Sequence, residues 1–220
     1  MSTLAPLSSG EELFLKLLSC ALHEELPDPK DFMGLDKATW RQIHRLAKSH
    51  AVPAFVGDRI LTLPKEALPG RNMRLMIFSE IELIRRSNVY LTKALGELQK
   101  TYNAAGLPFI LLKGLGLGTF YPSPDLRAGG DLDTLFHSAA AYERANALLC
   151  QAGYKLHDDS EVRYGHTAFT YGHTIVENHG RAVFFDHKRH NRYFDALVQE
   201  AIDSHSLIYL QLGECSIATL

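Results

Sequence analysis

Residues 127–136 read RAGGDLDTLF, and the two aspartates separated by one leucine decide how the chain is read. Strand interiors usually exclude aspartate, yet "GDLDTLF" has the short, apolar-ended pattern of a strand entered from a glycine pair. Successive side chains of a strand alternate faces, so Asp131 and Asp133 project together. Adjacent carboxylates repel unless a divalent metal ion, an arginine or water lies between them. The rest of the chain has to choose among the three.

Working outward, "PFILLKG" (108–114) is a continuous apolar, partly β-branched run that stops at Gly114, as a fully buried strand would. "LGLGTFYPSPD" leaves room for a short helix. After the aspartates come an alanine-rich helix ended by Gly153, a third strand in "YKLHDD", and "HTAFTYGHTIVENHG", which alternates as a hairpin around Gly172. Its second strand sets Ile175, Glu177 and His179 on one face and Thr174, Val176 and Asn178 on the other. "AVFFDHK" reads as a further strand, "NRYFDALVQEAIDS" as a helix, and "IYLQLGECSIATL" as an apolar, strand-like ending.

The residues before Pro108 read as helical. Ser8 or Ser9 caps a first helix with Glu11 and Glu12 in its opening turn, and Asp36 opens a second that buries Trp40, Ile43 and Leu46 or Ala47. Pro53 marks a break or the first turn of a short helix. From Asn72 the apolar residues recur at spacings of three and four without a proline until Gly106, which predicts one long helix. The expected organisation is therefore a helical region over 1–106 and an α/β domain over 107–220.

Bulk properties narrow the function. A chain of 220 residues with 46% hydrophobic content can bury a substantial core, and its formal charge of -2 argues against tight, non-specific binding of long nucleic acids. Cys20, Cys150 and Cys215 form neither a metal pattern nor a disulfide scaffold, which fits a reducing cytoplasm. No segment approaches the roughly 20 apolar residues that span a bilayer.

A hard divalent ion such as Mg²⁺ takes oxygen ligands, and two aspartates on one strand face supply a preset pair. A third acid from a neighbouring strand would complete a site for two ions, the arrangement that serves phosphoryl and nucleotidyl transfer. Glu177 is the candidate, an acid placed mid-strand in "TIVENH" where an unpaired charge is costly to bury; Asp186 is the reserve. Lys113-Gly114, where a strand gives way to a helix, offers charge and backbone N–H groups to an anion, although a lysine there also reads as a surface residue. His166, His173, His179 and His187 match no zinc spacing and read as hairpin and surface residues. Tyr121, Tyr164 and Tyr171 are aromatic enough to stack on a base but read more simply as core or rim residues.

Taken together, "LLKGLGLGTFYPSPDLRAGGDLDTLF" (111–136), "QAGY" (151–154) and "VENH" (176–179) resemble the uncharacterised nucleotidyltransferase family of the DNA polymerase β-like superfamily. The resemblance runs from about residue 75 to the end. It implies an α+β fold, a mixed sheet with helices preceded by a helical region, and transfer of a nucleoside monophosphate from a nucleoside triphosphate to a hydroxyl acceptor. It also implies Asp131, Asp133 and Glu177 as catalytic carboxylates holding Mg²⁺ (or Mn²⁺), with Lys113, Gly114 and Arg127 on the triphosphate. His179 occupies the family's acid-x-His position without an assigned role. The chain departs from the usual Gly-Ser or Gly-Gly pair at Lys113-Gly114, and relatives continue into a C-terminal helical region, so the resemblance implies a chain cut short at its end. With no basic excess, a small-molecule or protein acceptor is expected over long nucleic acid. Two rival readings remain: a fold kept as a non-catalytic interaction module, its acids merely paired with Arg127 or Lys113, and a DxD glycosyltransferase, which the helical character of the first half disfavours.

Overall fold

A computed structural model describes residues 6–157, 165–204 and 206–219. The chain forms two compact units, Met1–Asn88 with Phe120–Ala128, and Val89–Thr119 with Gly129–Leu220. Helix α4 (Arg71–Ala104) contributes its first half to one and the remainder to the other.

The first unit is helical. Helix α1 (Ser9–Leu22) starts where the Ser8 N–H donates to the Glu11 carboxylate at 2.7 Å, and α2 (Lys37–Ser49) where Asp36 Oδ1 accepts from the Thr39 N–H at 2.7 Å. Pro53 supplies the first turn of α3 (Pro53–Leu61), where its missing N–H costs nothing. Leu17, Ile43, Ala47, Ala54 and Ile60 meet Ile77 and Ile81 of α4 in one buried cluster, with Phe32 stacked on Trp40 at 6.0 Å. Leu46 is only partly buried, so Ala47 takes the core position. The 120–128 segment is held to α4 by Asn88, whose Nδ2 donates to the carbonyls of Asp125 and Arg127, both at 2.9 Å.

The second unit is a mixed sheet with helices. In chain order it comprises β1 (Ile110–Leu111), α5 (Gly114–Gly118), β2 (Asp131–Leu135), α6 (Ala139–Gln151), β3 (Lys155–Leu156), β4 (His166–Tyr171), β5 (Thr174–His179), α7 (Lys188–Asp203), β6 (Ile208–Leu212) and β7 (Cys215–Thr219). Their spatial order is β3-β4-β5-β2-β1-β7-β6, with β2 parallel to β5 and β1 parallel to β7 while the other pairs are antiparallel. One face buries Leu132, Phe169, Val176 and Ile217 against α4 (Leu91, Leu95, Leu98, Tyr102) and α6 (Ala141, Ala145, Leu149). On the other, Ile110, Leu112 and Leu135 pack with Val198 and Ile202 of α7. This is the α+β architecture of a mixed sheet with helices, preceded in the chain by helices, that the sequence implies.

The β4–β5 turn requires its glycine twice over: Gly172 has φ +58°, and a Cβ there would run into the Tyr90 hydroxyl. Two local expectations change. "AVFFDHK" is not a strand, because the Phe185 N–H and carbonyl are taken by Asn191 Oδ1 (2.6 Å) and Nδ2 (2.7 Å), leaving neither for a ladder. The ending is a hairpin, β6 and β7 turning at Gly213, rather than one run. The third strand spans Lys155–Leu156; Asp158 and Asp159 of "YKLHDD" and Tyr164 lie outside the described residues. Tyr171 is a core residue that donates to Glu97 Oε2 at 3.0 Å, and Tyr121 packs on Phe55 at 5.4 Å. Among the described residues no helix is long and apolar enough to cross a membrane.

Candidate metal and nucleotide site

The register between β2 and β5 assembles the site. Asp131 lies opposite Ile175, Asp133 opposite Glu177 and Leu135 opposite His179, so one face of two neighbouring strands gathers Asp131, Asp133, Glu177 and His179. Along β2 the environment is graded: the Asp131 side chain is 40% exposed, that of Asp133 is fully buried, and Leu135 enters the apolar cluster under α7.

Asp133 is the centre of the arrangement. Its Oδ1 meets Lys113 Nζ at 3.1 Å and His179 Nε2 at 3.0 Å, and the same His179 nitrogen lies 3.6 Å from Glu177 Oε2. Lys113 Nζ also stands 4.0 Å from Asp131 Oδ2. A lysine ammonium thus sits beside both acids. Lys113 reaches them from an uncommon backbone conformation, φ +24°, immediately before Gly114 at φ +52°. A non-glycine residue held there costs on the order of 1–3 kcal/mol, which the surroundings must over-determine.

The electrostatics follow. Burial raises the Asp131 pKa and the nearby Asp133 charge adds to that, with Lys113 opposing. The imidazole of His179 holds the Glu177 carboxyl well below its usual range against the cost of burial. Burial alone would depress His179, but Asp133 and Glu177 outweigh it and the net shift is upward. Lys113 is likewise raised, the carboxylates of Asp133, Asp131 and Glu177 overcoming its desolvation.

One atom stays unmatched: Asp133 Oδ2 is buried and has no hydrogen-bond partner. An orphan carboxylate oxygen in such a place is costly unless a cation serves it. Asp133, Glu177 and His179 each bring one ligand atom into a group whose members all lie within 4.8 Å of one another. The donor set therefore fits a divalent cation. Of the sequence candidates, the structure brings Lys113, Asp131, Asp133 and Glu177 together beside Gly114. Arg127 belongs to the helical unit, half-buried, its Nη1 donating to the Ala128 carbonyl at 3.4 Å. Asp186 precedes α7, in the loop that Asn191 fastens.

His179 enters the carboxylate group itself, a part the sequence did not assign to it, and Lys113, expected on the triphosphate or, in the non-catalytic reading, paired with the acids, lies against them. The strand alternation already set His179 beside Glu177 and was the signal available for it. His166, opposite His179 on β4 with ring centroids 5.6 Å apart, required the hairpin register as well.

Searches of curated proteins and of solved structures returned no match. The sequence model described as an uncharacterised nucleotidyltransferase matches residues 36–210, a span that takes in the helical unit from Asp36 onward and every carboxylate of the site. With that span covering most of its 220 residues, the chain belongs to the uncharacterised nucleotidyltransferase family.

Proposed function

We propose that the protein is a divalent-metal-dependent nucleotidyltransferase that moves a nucleoside monophosphate from a nucleoside triphosphate to a hydroxyl of a small molecule or protein. The observation that carries this reading is the β2–β5 register, which sets buried Asp133, with its orphan oxygen, opposite Glu177. Asp131, Asp133 and Glu177 are the residues to hold Mg²⁺ or Mn²⁺, which when bound neutralises phosphate charge and aligns the triphosphate.

The chain's own groups do the rest. Lys113 supplies a mobile ammonium for phosphate oxygens, Gly114 permits close backbone approach, and Arg127 matches the family position for a bidentate phosphate contact. Glu177, kept ionised beside His179, accepts a hydrogen bond from the attacking hydroxyl and orients it. The new bond joins acceptor oxygen to the α-phosphorus as the hydroxyl proton is released to solvent, the bond from the α-phosphorus to the α–β bridging oxygen breaks, and pyrophosphate leaves with that oxygen. Most of the rate enhancement in such a reaction comes from positioning and charge.

The rival reading, a non-catalytic module, is favoured by one observation: Lys113 already pairs with the acids. Calorimetric titration with each of the four ribonucleoside triphosphates, with and without Mg²⁺, separates the two. Catalysis requires metal-dependent binding that Asp131→Ala/Asp133→Ala abolishes. Binding that survives in that variant, or no binding of any triphosphate, favours the module.

A further inference from the structure

We infer that His179 joins the carboxylates as a metal ligand, so that the site is a mixed oxygen and nitrogen centre that prefers Mn²⁺ or a similar first-row ion over Mg²⁺. This rests on the metal-dependent reading of the same residues and adds to it a ligand and a metal class.

Three observations converge. The ligand atoms that cluster within 4.8 Å are those of Asp133, Glu177 and His179, whereas Asp131 stands outside the group at the solvent end of β2. The His179 nitrogen nearest the carboxylates is Nε2, at 3.0 Å from Asp133 Oδ1 and 3.6 Å from Glu177 Oε2, close enough for one cation to be shared among the three residues. Finally, the fully buried Asp133 keeps its second oxygen unpartnered while its first meets both His179 and Lys113.

Ligand chemistry then sets the preference. Mg²⁺ favours oxygen donors and holds its water tightly, whereas imidazole suits first-row transition ions, whose affinities rise along the series from Mn²⁺. His179 comes from a strand whose register is fixed on both sides, by β2 and by β4, so its ring is delivered to the carboxylates by the sheet rather than by a loop. His166 packs against His179 with rings tilted by 36° and is not one of the converging donors. It serves as a neighbouring control.

The test is pulsed electron paramagnetic resonance of the full chain with Mn²⁺ alone, using natural-abundance and ¹⁵N-histidine protein. Nitrogen modulation from a directly bound imidazole is expected in the wild type, altered by ¹⁵N-histidine, lost in His179→Gln and retained in His166→Gln. In a companion competition, His179→Gln should reduce the preference for Mn²⁺ over Mg²⁺ by about tenfold. Stoichiometric Mn²⁺ without histidine nitrogen coupling overturns the His179 assignment and leaves the carboxylate reading intact. Failure of wild-type protein to bind Mn²⁺ overturns both. The wild-type spectrum decides even if the His179 variant does not fold.

Discussion

The two faces of the β2–β5 ladder carry alternate residues of the same short strands, and they treat buried polar groups in opposite ways. On the face toward α4 and α6, Asn178 Oδ1 accepts from the Tyr102 hydroxyl (2.7 Å) and the Thr134 hydroxyl (2.8 Å), while Asn178 Nδ2 donates to Asn146 Oδ1 (2.9 Å). The chain continues from Asn146 Nδ2 to Thr167 Oγ1 (3.2 Å), which meets the Tyr142 hydroxyl at 2.6 Å. This network is uncharged and closed, and burial pushes the Tyr102 phenol pKa well up, so it stays neutral. On the opposite face the groups are charged and Asp133 Oδ2 is open. A satisfied network fixes register; an unsatisfied one of matched geometry invites a ligand.

If that division is right, the largest stability effect belongs to the closed face. Asn178→Ala removes the partner of two buried hydroxyls, Tyr102 and Thr134, and of the partly buried Asn146 amide oxygen; a buried group left unsatisfied costs about 1–3 kcal/mol. A loss of about 3 kcal/mol or more is expected in urea unfolding, together with weaker metal binding because β2 and β5 lose a common tie. A loss below about 1 kcal/mol would show that the network does not hold the strands. The next largest effect reverses the pattern. Asp133→Asn should lower metal-dependent triphosphate binding by about a hundredfold, near 2.7 kcal/mol at 1.36 kcal/mol per tenfold, while shifting the unfolding midpoint much less than Asn178→Ala does. Equal stability losses for both variants would erase the distinction between the faces.

The closed face also shows what a single sequence conceals. Alternation in "GDLDTLF" and "TIVENH" assigned each residue to a face, and Gly172 located the hairpin, because both signals are local. Neither reveals that β2 and β5 are neighbours: they pair in parallel across α6, β3 and β4, and only that pairing turns Asn178 and Thr134 into partners. β7 is similar, since its place beside β1 pairs Ile110 with Ala218 over most of the domain. "AVFFDHK" misled for the opposite reason. Its composition favours a strand, but one side chain, Asn191, captures the backbone at Phe185. The carboxylates were legible because acids are conspicuous in strands; His179 and Lys113 were less so, because their part depends on which groups the fold delivers to them.

Lys113 provides the smallest effect and the sharpest in sign. Its ammonium, 3.1 Å from Asp133 and 4.0 Å from Asp131, is a cation already resident where a metal ion would be drawn. On the proposed function metal and lysine would therefore compete for Asp133, while a bound triphosphate would bring new negative charge to partner the displaced ammonium. Lys113→Met should consequently tighten Mn²⁺ or Mg²⁺ binding to the protein alone, by about threefold given that the lysine is half-exposed and its attraction is screened. The same variant should weaken triphosphate binding in the presence of metal. Opposite signs in the two titrations are the signature of a counterion that moves between carboxylate and phosphate. A purely structural lysine would loosen both, because losing it would leave Asp133 buried with less compensation and disturb the strained turn that carries it.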